Sequence, residues 1–143
     1  MPGKILVVDD EPDSVSFLES VLEENGYACI SANDGVEGLK LAKKEKPDLI
    51  LLDLIMPKKS GITMFQELKK DPELGGIPVI VVSGVSMITG VDFRNFVIKQ
   101  LDKDESEVIS TTGETRYISP NDFVEKPIKP DELIEKVRKI LKE

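Results

Sequence analysis

Residues 47–54, PDLILLDL, carry the decisive reading of this chain. From Leu49 to Leu54 the run is apolar except for Asp53. A strand with one wet face alternates apolar and polar residues. An unbroken run is what a strand needs when helices cover both faces of a parallel sheet. Two stretches read the same way: KILVVD at 4–9 and IPVIVVS at 77–83. YACIS at 27–31 and NDFVE at 121–125 are shorter strand candidates. Amphipathic segments lie between them. In DSVSFLESVLEEN, 13–25, Val15, Leu18, Val21 and Leu22 keep helical spacing, and Gly26 is a stop signal. Asp34 suits the cap of a helix over 35–45, with Val36, Leu39 and Leu41 or Ala42 facing inward. A helix over 61–70 carries Met64, Phe65 and Leu68, and one over 130–142 carries Leu133, Ile134, Val137, Ile140 and Leu141. Cys29 reads as a small core hydrophobe, and Lys43-Lys44-Glu45-Lys46 as a solvated helix end. Five β–α units in succession predict an α/β fold with right-handed crossovers.

The 143 residues suit one domain, 1–143, with no linker leading to a second. Hydrophobic residues at 40% and charged residues at 32% describe a globular chain. With 19 basic and 27 acidic residues the net charge is −8, which disfavours direct nucleic-acid binding. The absence of histidine excludes catalysis by a resident imidazole and zinc sites built on it. A single cysteine excludes an internal disulfide. No signal peptide or spanning segment is legible, so the expected location is the cytoplasm.

The segment from Val85 to Pro120 breaks the alternation. Its first part suits a helix, since Val91, Phe93, Phe96, Val97 and Leu101 keep helical spacing. The remainder is polar. There Val108 and Ile109, then Tyr117 and Ile118, flank a Thr112-Gly113 turn signal, which reads equally as a β-hairpin or as a mobile loop.

Acids stand at the carboxyl ends of strands: Asp9 and Asp10 after the first, Asp53 at the third. Open parallel sheets bind ligands at that edge. If the first and third strands are neighbours, three carboxylates converge and repel one another, and a divalent cation relieves the repulsion. Mg²⁺ takes hard oxygen ligands and keeps several waters. Taken singly, an Asp at a strand end is more often a turn or cap residue. Ser83 ends the fourth strand and Lys126 follows the fifth. Each alone reads as an ordinary strand-end or solvated residue. Together with the acids, they describe a site for a metal and a phosphoryl group.

The segments KILVVDDEPD (4–13), PDLILLDLIMPKKSG (47–61), IPVIVVSG (77–84) and FVEKPI (123–128) resemble, in order and spacing, the receiver domain of two-component response regulators. The resemblance implies a flavodoxin-like (βα)5 three-layer sandwich with strand order 2-1-3-4-5. It implies that Asp53 accepts a phosphoryl group from a phosphohistidine on a sensor histidine kinase or phosphotransfer protein. Mg²⁺ would be held by Asp10, Asp53 and the backbone carbonyl of Ile55, with Asp9 assisting, largely through water. Ser83 and Lys126 would contact the phosphoryl oxygens, and Ser83 and Phe123 would form the switch. Without the resemblance, Phe123 reads as a core aromatic. The Lys126–Pro127 bond is expected to be cis.

The chain departs from the family pattern between Ser83 and Lys126, where extra residues form an insertion at about 102–119. It reads equally as a partner-specific surface or as a tolerated surface insertion. The resulting expectation is a stand-alone, phosphorylation-dependent switch that acts through a separate protein, with homodimerisation as a further option. It is not a turnover enzyme: its only chemistry is Mg-dependent phosphoryl transfer to itself and autodephosphorylation. A phosphate-independent interaction module is the alternative. An Asp-nucleophile phosphohydrolase fits less well, because Asp9-Asp10-Glu11-Pro12-Asp13 lacks the D-x-D-x-[TV] pattern of the haloacid dehalogenases.

Overall fold

A computed structural model describes residues 3–53, 61–83, 107–109, 115–117 and 121–142. The apolar runs become strands β1 (Lys4–Val8), β2 (Ala28–Ala32), β3 (Leu49–Asp53) and β4 (Val79–Ser83). After them come β5 (Glu107–Ile109), β6 (Thr115–Tyr117) and β7 (Asp122–Glu125). Among the described residues the helices are α1 (Pro12–Glu24), α2 (Gly35–Glu45), α3 (Gly61–Lys70) and α4 (Pro130–Leu141). The main sheet is parallel in every pairing and runs β2-β1-β3-β4-β7, which is the order 2-1-3-4-5 of its own five strands.

Strand alternation sorts the core into two layers. Leu6, Val8, Ile50, Leu52, Val79, Val81 and Phe123 pack with Ala42 of α2 and with Met64, Phe65 and Leu68 of α3. Ile5, Val7, Leu49, Leu51, Ile80, Val82 and Val124 face the other way, onto Leu18, Val21 and Leu22 of α1 and Leu133, Ile134 and Val137 of α4. The unbroken apolar runs are therefore required by helices on both faces. Cys29 of β2 is half-buried against this second layer, and burial, reinforced by Glu19 and Glu23, pushes its thiol up to about 12.

Two local expectations need correction. Val36 does not face inward; it is 44% exposed. The buried stripe of α2 is Gly35, Gly38 and Ala42, and Val36 sits off it. Small residues let α2 approach the sheet so closely that a Cβ on Gly38 would lie 2.8 Å from Met64 Cε and 3.1 Å from Val8 Cγ2. Tyr27 precedes β2 rather than opening it. It is buried in the second core layer and donates its backbone N–H to Leu22 O at 3.0 Å, closing the turn after α1.

Asp34 caps α2 as expected, accepting from Glu37 N at 2.9 Å. At the end of α3, Lys69 Nζ turns back to donate to Gly75 O and Ile77 O, both at 3.2 Å, and lies 5.6 Å from the centroid of the Phe65 ring. Burial lowers its pKa.

In the long segment, β5 and β6 pair antiparallel, Glu107 with Tyr117 and Ile109 with Thr115. The hairpin reading therefore holds over a loop, and the hairpin falls inside the span assigned to the insertion. The helix expected over 91–101, together with Ile55, Met56-Pro57, Thr112-Gly113 and Ile118, lies outside the described residues.

Candidate functional site

The strand order brings β1 and β3 side by side, Val8 opposite Leu52, so the acids that follow them converge at one sheet edge. Asp9 leaves β1 and is 1% exposed, its backbone N–H donating to Ala32 O at 3.1 Å. Asp53 is the last residue of β3 and is 5% exposed. Two carboxylates this deeply buried need a counter-charge. Lys126 supplies it from the end of β7. In the sheet β7 is two strands from β3, about 10 Å at the usual spacing, so a long side chain has to cross the end of β4. Lys126 Nζ lies 3.0 Å from Asp9 Oδ2, 3.3 Å from Asp53 Oδ2, 3.5 Å from Ser14 Oγ and 3.6 Å from Glu11 Oε1. Burial acts to lower the pKa of this ammonium, but the hydrogen bonds and charges of Asp9 and Asp53 outweigh it and raise it above the ordinary lysine value. The next peptide bond, Lys126–Pro127, is cis as expected.

Asp10 is half-buried and joins the same group. Carboxylate oxygens of Asp9, Asp10, Glu11 and Asp53 all lie within 4.8 Å of one another. Four hard oxygens at that spacing suit a divalent cation that prefers carboxylate and water, and Mg²⁺ fits the donor set. The three acids expected from the sequence are thus together, and the structure adds Glu11. Ile55 lies outside the described residues.

Ser83 ends β4 opposite Glu125, which puts its backbone at the same sheet edge. Phe123, 9% exposed, belongs to the core layer under α2 and α3. Its neighbourhood on β7 is braced from α4: Lys136 Nζ donates to Phe123 O and pairs with Asp122 Oδ1 at 3.3 Å. A cleft of about 200 Å³ opens beside Lys126, lined by Asp13, Ser14, Phe17, Pro127 and Ile128.

Sequence reasoning missed Glu11 and Ser14. Both lie at the start of α1, where an acid and a serine read as ordinary helix-start residues. The available signal was adjacency: a residue directly after two converging aspartates shares their site.

Comparison with known proteins agrees with this geometry. The model of the response regulator receiver domain matches residues 5–107. The chain is 33% identical to the polar-differentiation response regulator DivK of Brucella anthropi over 141 residues, 99% of this chain and 98% of that protein. It is 41% identical to protein PilH of Pseudomonas aeruginosa over 81 residues, 57% of this chain and 67% of that protein. It spans about half the length of other curated relatives that it matches. Among solved structures, the receiver domain of the sensor histidine kinase PA1611 of Pseudomonas aeruginosa shares the fold with a TM-score of 0.77 and 20% identity, over 100% of both chains. In that structure a magnesium ion is coordinated in the active-site cleft. Among the described residues of the present chain, no helix is long and apolar enough to cross a membrane.

Proposed function

The chain belongs to the response regulator receiver domain family, and from that premise we propose that it is a phosphorylation-dependent signalling switch with Asp53 as its phosphoacceptor. The observation that carries this reading is the ammonium of Lys126 held between Asp9 and Asp53 at the carboxyl edge of a parallel sheet. In the proposed reaction an Asp53 carboxylate oxygen attacks phosphorus. The bond from phosphorus to the donor's imidazole nitrogen breaks, and an acyl phosphate forms on Asp53. A histidine kinase or phosphotransfer protein is the donor, consistent with a chain that has no histidine of its own. Asp10 and Asp53, with Asp9 assisting, would hold Mg²⁺, which when bound would offset charge on the transferring group. Lys126 is already aimed at Asp53, and a modest shift of its flexible stem carries the ammonium from carboxylate to phosphoryl oxygen. Ser83 lies at the edge where a phosphoryl oxygen would need a donor.

Output follows from charge. Adding a phosphoryl group to Asp53 changes what Lys126 and the end of β4 must neutralise, and β7, with Phe123, lies next to both. The phosphorylated state is then read by a separate protein in the cytoplasm. No turnover of an external substrate is part of this reading, beyond self-phosphorylation and its reversal.

The test is intact mass after treatment with acetyl phosphate and Mg²⁺. One phosphoryl group should add to the native chain and be lost in Asp53→Asn and in metal-free buffer. A folded protein that takes up none would be a receiver-shaped interaction module instead.

A further inference from the structure

Glu11 is the residue of the acid cluster that the sequence did not announce, and three observations single it out. It occupies the N-cap position of α1, and its side chain makes no capping hydrogen bond, so it is not committed to the first-turn N–H groups. Its carboxylate is instead within 4.8 Å of those of Asp9, Asp10 and Asp53. Its position is anchored from behind, since Glu11 N donates to Asp9 Oδ1 at 2.9 Å and Pro12 follows with its fixed φ. The Lys126 ammonium stands in for a cation here: it lies 3.0–3.6 Å from Asp9, Asp53 and Glu11, so those three acceptors already converge on a positive charge.

We propose that Glu11 is a positioning residue of the cation site, holding the metal through one of the waters that Mg²⁺ retains. The Glu11 side chain is 65% exposed, which suits an outer ligand reaching in from the rim, whereas the buried Asp53 suits a direct contact. This inference rests on the reading that the acid cluster binds Mg²⁺.

The experiment is calorimetric titration of MgCl₂ into the native chain and into Glu11→Gln, Glu11→Asp, Asp13→Asn and Asp10→Asn, at about 0.1 M and about 0.5 M salt. A melting curve in EDTA checks the folding of each. Asp13 is the near control: it is exposed and lines the cleft beside Lys126, but it is not part of the cluster. Glu11→Gln should weaken Mg²⁺ binding about three- to tenfold, below the range for buried outer partners because the side chain is largely exposed. The loss should persist at the higher salt, and Asp13→Asn should stay within about twofold of the native chain. Glu11→Asp should lose affinity too, although it keeps the charge, because its shorter carboxylate falls back onto the helix N–H groups. Native affinity in Glu11→Asp, or Glu11→Gln behaving like Asp13→Asn while Asp10→Asn abolishes binding, would overturn the assignment of Glu11 and leave the metal site standing. Native affinity in Asp10→Asn would remove the metal site itself.

Discussion

Replacing Lys126 by Met keeps the stem and deletes the ammonium, and its consequence can be worked from the burial of its partners. Asp9 and Asp53 are 1% and 5% exposed and would lose the ammonium that lies between them. Removing one member of a buried pair costs about 3–5 kcal/mol. The Lys126 side chain is 20% exposed, so solvent screens part of that interaction, and about 2–3 kcal/mol is the expected loss. For a chain of this size, each kcal/mol moves the melting temperature by about 3–4 °C, so the variant should melt about 6–12 °C below the native protein in EDTA. Divalent cation should reverse the loss. With the competing ammonium gone, Mg²⁺ binds an emptier and more negative site, and at about 100 times its dissociation constant it restores about 2.7 kcal/mol. The pH dependence has a definite sign. The native pKa of Lys126 is raised, so its contribution is complete below the unfolded lysine value and is lost as pH climbs through the native value. The gap between native and variant should therefore be full at neutral pH and close only in strong alkali. The assay is thermal unfolding by circular dichroism, with EDTA or MgCl₂, across pH. A variant as stable as the native chain in EDTA, or a deficit that Mg²⁺ does not reduce, would refute the electrostatic reasoning.

Three further outcomes follow from the packing. Gly38→Ala should lose about 1 kcal/mol in urea unfolding, because crowding against Met64 and Val8 outweighs the better helix propensity of alanine; shortening Met64 to Ala in the same chain should make the Gly38 change less costly. Lys69→Met should cost about 1–3 kcal/mol by the same assay, since the carbonyls of Gly75 and Ile77 both lose a charged donor. Cys29, with its thiol pushed up to about 12, should alkylate far more slowly in the folded chain than in urea at mildly alkaline pH; equal rates would contradict its burial against the second core layer.

The sheet was legible because burial on both faces leaves an unmistakable mark. A strand such as LILLD has no wet side on which to place a polar residue, and the same logic located β1 and β4. Asp9, Asp53 and Lys126 were legible because parallel topology sends every strand's carboxyl end to one edge, so residues far apart in sequence fall together by topology alone. Val36 was misplaced for the opposite reason. The inward stripe of α2 is marked by glycines and an alanine, and a search for large apolar residues passes over a face whose purpose is close approach. Glu11 escaped because an acid at a helix start suits the helix dipole and needs no further explanation, while its place beside Asp9, Asp10 and Asp53 depends on how the chain folds. The hairpin was half legible. Apolar pairs about a Thr-Gly turn suggested it, yet three-residue strands carry too little pattern to separate a hairpin from a loop.

The order of the sheet also decides which partner in the acid site can travel. Asp9 follows β1 and Asp53 ends β3, and each of these strands is laddered to a neighbour on both sides, so displacing either strand would disturb two ladders. Lys126 follows β7, which among the described residues pairs with β4 alone. A displacement there disturbs one ladder of four residue pairs. Moving the strand behind Lys126 thus disturbs fewer ladders than moving those behind the anions, although Lys136 of α4 braces it at Asp122 and Phe123. If Asp53 takes up a phosphoryl group as proposed, the outermost strand is the one whose shift disturbs the fewest pairings, and a partner reading that state would gain most by gripping that side of the sheet.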